Sequence, residues 1–342
     1  MDAPRDLPAD LFGNGVLAAP MAGGPSRPEL ALAVGGAGGL GFLGGGLKTP
    51  QVLEDELRIM ESRGGGRPFG VNLFVPATQE IDRDAVLAYR ERLRPEAKAV
   101  GADMPEPRWA DDDAYPAKLD LLLTHAPAVV SFTFGTPRWD AVEALKKAGS
   151  FVLQTVTGPE EAAVAAELGA DALVVQHPDA GGHSGAFLGL PPFQGTLPEL
   201  VAAVRAAVPL PLIAAGGIGT PDAAAAARDA GAAALQLGTA FLRTPEAGTN
   251  PVHRAALAST AFERTAPTRA FSGKWARGLE NGFMLRFADA PSAYPVVHHL
   301  TAPLRAASVR AGSPERTSLW AGTAWREARD EPAAAVVHRF AR

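Results

Sequence analysis

The chain has 342 residues, nearly half of them apolar, which is ample for a large core, and its formal net charge is only −5. No block of basic residues interrupts that balance, so nucleic acid and anionic membrane are poor candidates for a main partner. The complete absence of cysteine excludes disulfides, thiolate metal sites and a cysteine nucleophile, and it fits a reducing, cytoplasmic setting.

From the N-terminus, "MDAPRDLPADLFG" lacks the basic segment and apolar stretch of a signal peptide, and no later run is long and apolar enough to span a bilayer. Short apolar runs bounded by Gly, Pro or Asn then read as buried strands, and alanine-rich segments with charged faces as helices. "GVLAAP" (15–20) is a first strand and "RPELALAVGGAG" (27–38) its helix. "GLGFLG" (39–44) is the second strand, followed by a helix over 49–63 that Thr49–Pro50 opens with an N-cap and a first-turn proline. Further strands follow at 69–75, 128–135, 151–156, 172–176, 210–217 and 234–242, with helices at 138–149, 158–170, 196–208 and 220–232.

Eight strands alternating with helices predict an α/β fold, a (β/α)8 TIM barrel; a doubly wound open sheet is the structural alternative. Two segments exceed the regular spacing, 76–127 and 243–300, and are expected to build a lid module. Residues 1–75 and 128–242 then form the barrel, and 301–342 a C-terminal helical segment completing its exterior. "GLGFLG" matches the dinucleotide fingerprint G-x-G-x-x-G. However, that fingerprint needs a strand before it and a helix opening inside it, and here a helix precedes it.

In such barrels the chemistry sits at the C-terminal ends of the strands. That rule selects "PMAGG" (20–24), Asn72, the segment "QHPDAGGHSG" (176–185), "AGGIGT" (215–220) and "QLGT" (236–239). The loops after the seventh and eighth strands carry glycines whose backbone N–H groups can face phosphate oxygens, with a helix starting at Thr220–Pro221. The same glycines also suit two tight β/α turns. His183, on a glycine-rich loop at this face, has an unperturbed pKa near 6.5 and suits general-base work. His177, Asp179 and His183 form only a weak metal set, and no metal is implied. His298 and His299, being adjacent, read as surface or hinge residues. Ser184 lacks the strand-to-helix elbow of a serine hydrolase.

Together, the segments 19–46, "FGVNLFVP" (69–76), "DALVVQHPDAGGHSG" (171–185), 211–242 and "FSGKWARGLENGF" (271–283) resemble nitronate monooxygenases, formerly grouped as 2-nitropropane dioxygenases. The match runs in order over roughly 15–285. The resemblance implies FMN, with Pro20 among the residues that bind it, Met21 against the isoalloxazine, and Asn72 and Gln176 hydrogen-bonded to it. Gly181 and Gly182 would permit its close approach, and Gly216, Gly217, Gly238 and Thr239, with Gln236 and Leu237 beside them, would hold its phosphate. It implies His183 as the active-site histidine, a base or a group that orients the nitronate, in an oxidation of alkyl nitronates by O2 to a carbonyl compound and nitrite. The implied partners are small molecules, with a homodimer left open.

This chain departs from the family at His177 and Asp179, where relatives commonly have glycine and glutamate, and at Lys274–Trp275, where an arginine–proline pair is usual. Both departures are expected near the substrate side. Lys274 would neutralise an anionic ligand or cover the lid surface, and Trp275 would wall the pocket or pack the lid. Three rival readings share the residues: an FMN-dependent enoyl-acyl carrier protein reductase using NAD(P)H, a non-catalytic flavoprotein, and a flavin-free barrel binding a sugar phosphate.

Overall fold

The computed structural model describes residues 7–76 and 80–342, so residues 1–6 of the expected barrel and 77–79 of the expected lid lie outside the described residues. Six strands open the chain: β1 (Val16–Ala18), β2 (Gly41–Gly44), β3 (Phe69–Phe74), β4 (Val129–Thr133), β5 (Phe151–Val156) and β6 (Ala172–Gln176). A two-residue strand, β7 (Gly182–His183), then leaves the sheet, and β8 (Leu212–Ala215) and β9 (Ala234–Leu237) complete it. The eight barrel strands are all parallel, in the order β1-β9-β8-β6-β5-β4-β3-β2. A parallel bridge from Leu17 to Leu40 joins the two ends, so the sheet closes into a (β/α)8 barrel.

The strands are apolar on both faces because both are buried. In β6, Val174 fills the interior with Leu17, Phe42, Leu153 and Ile213, whereas Leu173 and Val175 face the surrounding helices. Phe12 closes the N-terminal end, its ring edge-on to Phe151 at 5.3 Å. The parallel register brings the C-terminal residues to one face: Gly44 beside Asn72, and Gln176 beside Ala215, which in turn pairs with Gln236.

The expected boundaries change in four places. First, the helix Tyr115–His125, inside the expected lid, packs on β3 and on the helix Pro50–Arg63, with Leu122 buried in their shared core. It is the barrel's own helix between β3 and β4. Second, the eighth barrel strand stops at Leu237, and Thr239–Phe241 is a 3-10 turn. Third, the helix Val296–Arg310 runs across the expected boundary at 300. Its Val297, Leu300 and Leu304 share a separate apolar cluster with Tyr89 and Leu93 of the helix Arg83–Ala99. Fourth, His298 and His299, expected as surface or hinge residues, lie within that helix; His299 Nε2 meets Asp111 Oδ2 at 2.6 Å, and His298 lines the cavity described below.

The remaining strands, β10 (Thr265–Thr268) and β11 (Ala276–Leu279), form a hairpin whose second strand pairs antiparallel with β7. The last helix, Ala333–Phe340, buries Val336, Val337 and Phe340 against the helices Pro28–Gly36 and Pro221–Asp229. Among the described residues no helix is long and apolar enough to cross a membrane.

Candidate active site

A cavity of about 290 Å³ opens at the C-terminal ends of the strands, beneath the hairpin and the helix Val296–Arg310. Every residue singled out above as cofactor-binding lines it, and so does His183. Parallel strands alone bring Asn72, Gln176 and Gln236 to that end. His183 needs more: its backbone pairs with Ala276 of β11, and Ser184 N donates to Trp275 O at 2.8 Å. The loop after β6 is thus stapled to the hairpin that covers it.

The imidazole of His183 is boxed by three rings, Phe134, Tyr294 and Trp320, at centroid distances of 5.7, 5.8 and 5.3 Å. Its Nε2 lies 2.8 Å from Ser272 Oγ. Ser272 Oγ also accepts from Lys274 N and lies 3.2 Å from Lys274 O. If the single hydroxyl proton goes to Lys274 O, His183 must donate Nε2–H, and Nδ1 is left as an acceptor; if it goes to His183, Nδ1 carries the proton. Burial, with the positive charges of Lys274 and Arg305 nearby, pushes the His183 pKa down to about 3. The resting imidazole is therefore neutral at ordinary pH. Phe134 holds a left-handed φ of 77°, a strained backbone for an aromatic residue, at the wall of the same cavity.

The amides divide the work differently from the sequence expectation. Asn72 Oδ1 accepts from Ser131 Oγ and Thr133 Oγ1, at 2.8 and 2.9 Å, which leaves its amide nitrogen for a ligand. Gln236 Nε2 is buried with no partner among the described residues. By contrast, both ends of the Gln176 amide are engaged: Nε2 donates to His183 O at 3.0 Å and Oε1 accepts from Gly185 N at 2.6 Å. Gln176 clamps the histidine loop.

Two of the glycines are bare for reasons internal to the chain. A Cβ on Gly181 would sit 2.6 Å from the backbone of Ala321 and Gly322, and one on Gly216, at φ 109°, 2.9 Å from His177 O. The tail segment 320–323 crosses here, with Gly322 N donating to Thr239 Oγ1 and Thr323 N to Asp179 O. His177 and Asp179 are accordingly a packing pair behind the β8 loop. Their side chains meet at 3.4 Å, and His177 Nε2 is engaged with Gly195 O at 2.9 Å. Neither lines the cavity, and they form no metal set with His183. The backbone N–H groups of Gly216, Gly217, Gly238 and Thr239 have no acceptor among the described residues.

The lid residues also move from their expected places. Lys274 is not on the surface: its Nζ donates to Ala186 O at 3.0 Å and lies 4.8 Å from the Phe134 ring centre. Burial lowers its pKa to about 8. Trp275 is 48 % exposed, stacked under Arg269 at 4.8 Å, and neither walls the cavity nor packs the lid core. Sequence reading missed Ser272, Trp320 and Arg305 as cavity residues. No sequence signal marked Arg305, which shares its helix with a second arginine, Arg310.

The neutral burial of histidine has a measurable consequence. His183 is depressed to about 3 and His253 to about 4, both by burial, whereas in the unfolded chain they protonate from about pH 6.5 downward. Between those limits the unfolded state binds more protons, so stability is lost as pH falls through that window. We expect the urea midpoint to drop from about pH 7 to about pH 4, and the drop to be shallower in His183→Asn. Identical slopes in the two proteins would show that His183 is not held neutral.

The nitronate monooxygenase family model matches residues 9–340. A probable nitronate monooxygenase from Staphylococcus aureus (strain JH9) is 33% identical over 321 residues, covering 92% of this chain and 90% of that protein. Among solved structures, the nitroalkane oxidase from Streptomyces ansochromogenes superposes with a TM-score of 0.91 at 43% identity, covering 97% of this chain and 96% of that one. FabK from Thermotoga maritima superposes with a TM-score of 0.72 at 26% identity, covering 96% and 92%.

Proposed function

The chain belongs to the nitronate monooxygenase family and is an oxidoreductase, and we propose that it uses FMN to oxidise alkyl nitronates with O2, giving a carbonyl compound and nitrite. The observation that carries this reading is a single cavity that joins unpaired backbone N–H groups, two free amide donors and one neutral imidazole. The residues present fit the cofactor. Gly216, Gly217, Gly238 and Thr239 offer their N–H groups to its phosphate, as the loops after the last two strands of such barrels often do. Asn72 and the orphaned Gln236 Nε2 offer donors to the ring edge, and Pro20 and Met21 supply apolar surface beside them.

When bound, FMN supplies electron acceptance from the substrate and its passage to oxygen. The chain's own residues bind, orient and exclude water. His183 presents a neutral imidazole in a box of aromatic rings, where a hydrogen bond to a charged ligand is stronger than in water. For a nitronate, the proton is already gone, and His183 orients the anion. For a neutral nitroalkane, the His183 Nδ1 lone pair can take the α-proton, although a base depressed to about 3 takes it poorly until the carbanion's charge develops beside it. Nitronates are accordingly the better substrates.

The deciding experiment is an anaerobic titration of the purified yellow protein with ethyl nitronate, nitroethane and NADPH in parallel, followed by admission of oxygen. Reduction by the nitronate and nitrite formation with O2 are expected. Rapid bleaching by NADPH without response to nitronate would instead favour the reductase reading suggested by the FabK likeness.

A further inference from the structure

Arg305 stands in the cavity wall without a carboxylate within ion-pair distance among the described residues. Its Nε donates to Thr301 Oγ1 at 3.1 Å, and its Nη2 donates to His298 O at 3.1 Å and to His298 Nδ1 at 3.2 Å. All of these partners are neutral, and Nη1 has no acceptor among the described residues. Other interior arginines of the chain behave differently. Arg254 spends both terminal nitrogens on the carbonyls of Arg243 and Thr244, and Arg277 ties Pro178 O to Thr265 O; neither lines the cavity. Those two are internal clamps, whereas Arg305 keeps one nitrogen of its fork free.

A guanidinium cannot accept a hydrogen bond, so the contact to His298 Nδ1 requires that nitrogen to be the lone pair. His298 is thereby fixed as the tautomer with its proton on Nε2, and that ring also lines the cavity. One residue thus supplies a fixed positive charge and orders a second donor beside it. Holding a charge in protein without a counter-ion is costly unless something returns the Coulomb energy. Even lowered by burial to about 10, Arg305 stays charged at neutral pH.

Resting on the reading above, we infer that Arg305, with His298 Nε2–H, is the anion-holding residue of the substrate subsite, pairing with a planar two-oxygen anion. Nitronate and carboxylate share that shape and charge, and the guanidinium fork matches both. The subsite is separate from the loops that would take the cofactor phosphate, since it rests on the helix Val296–Arg310 rather than on β8 and β9.

The test uses FMN-loaded enzyme and three substrates: neutral nitroethane, ethyl nitronate and propionate 3-nitronate, which adds a carboxylate. In Arg305→Met, kcat/KM for ethyl nitronate is expected to fall about 30-fold or more, with a smaller fall for nitroethane, which is neutral until its α-proton leaves, and Arg305→Lys recovering part of the loss. If only propionate 3-nitronate falls, the carboxylate is the partner. An equal fall for all three, or no change in any, overturns the inference. Calorimetric titration with propionate needs no turnover. Saturable binding to wild type that weakens about 30-fold in Arg305→Met and less in Arg305→Lys supports the subsite, and equal binding in all three proteins refutes it. Because that measurement stands when no nitronate is turned over, failure of the oxidase reading and failure of the Arg305 subsite are told apart.

Discussion

Replacing His183 by alanine is expected to leave the barrel folded and FMN bound while turnover of ethyl nitronate falls by about 10²- to 10⁴-fold. The fold is spared because the imidazole belongs to no strand ladder of the barrel and to none of its apolar clusters. FMN retention is expected because the donors that fit it, Asn72, Gln236 and the β8 and β9 loops, do not depend on the ring. What is lost is the one polar group facing substrate from inside the aromatic box of Phe134, Tyr294 and Trp320. His183→Asn keeps a side-chain amide that can reach Ser272 and should recover a fraction of the rate. Flavin absorbance and nitrite release, measured on the same samples, check both halves. Wild-type turnover in the alanine variant would remove His183 from the mechanism.

Glu161→Gln is expected to destabilise the protein by about 3 kcal/mol or more and to cut turnover as well, although residue 161 does not line the cavity. The Glu161 carboxylate is 1 % exposed, and both oxygens are fully employed. Oε1 accepts from Phe187 N at 2.6 Å and Leu188 N at 3.0 Å, while Oε2 accepts from Thr157 N at 2.7 Å and Thr157 Oγ1 at 2.9 Å. A glutamine has one acceptor oxygen; its NH2 would meet N–H donors on one side or the other, leaving them unsatisfied. The segment freed is the one whose Ala186 O holds the Lys274 ammonium, directly after His183 and Ser184. The expected signature is a lower urea midpoint together with a reduced kcat. A variant with full stability and full kcat would show that this buried carboxylate is not what orders the loop.

Much of the barrel was legible because each β/α unit signs itself locally. Thr49 does cap its helix, accepting from Val52 N, and Thr220 caps the helix beside the β8 loop in the same way. The strand-end rule then pointed to Asn72, Gln176 and Gln236 without any geometry, because parallel strands must deliver their C-terminal residues to one face. The lid was harder. Tyr115–His125 looked like insertion because the charged, proline-rich stretch before it hid the spacing, yet Leu122 had already joined the barrel core. Gly181 and Gly216 looked bare for a cofactor's sake, whereas the tail at Ala321 and the loop at His177 are what demand it.

The sequence by itself determined the alternation of strands and helices, and it pointed to the end of the barrel where the cavity opens and to the histidine that lines it. All three follow from periodicity and from chain direction, which are local properties. Only the tertiary structure decided what surrounds that histidine. Ser272 comes from 89 residues away, Arg305 from a helix that read as exterior, and the Phe134, Tyr294 and Trp320 rings from three separate segments. Their joint effect, a neutral imidazole beside an uncompensated guanidinium, is a matter of burial and Coulomb distance, and neither quantity exists until the chain has closed on itself.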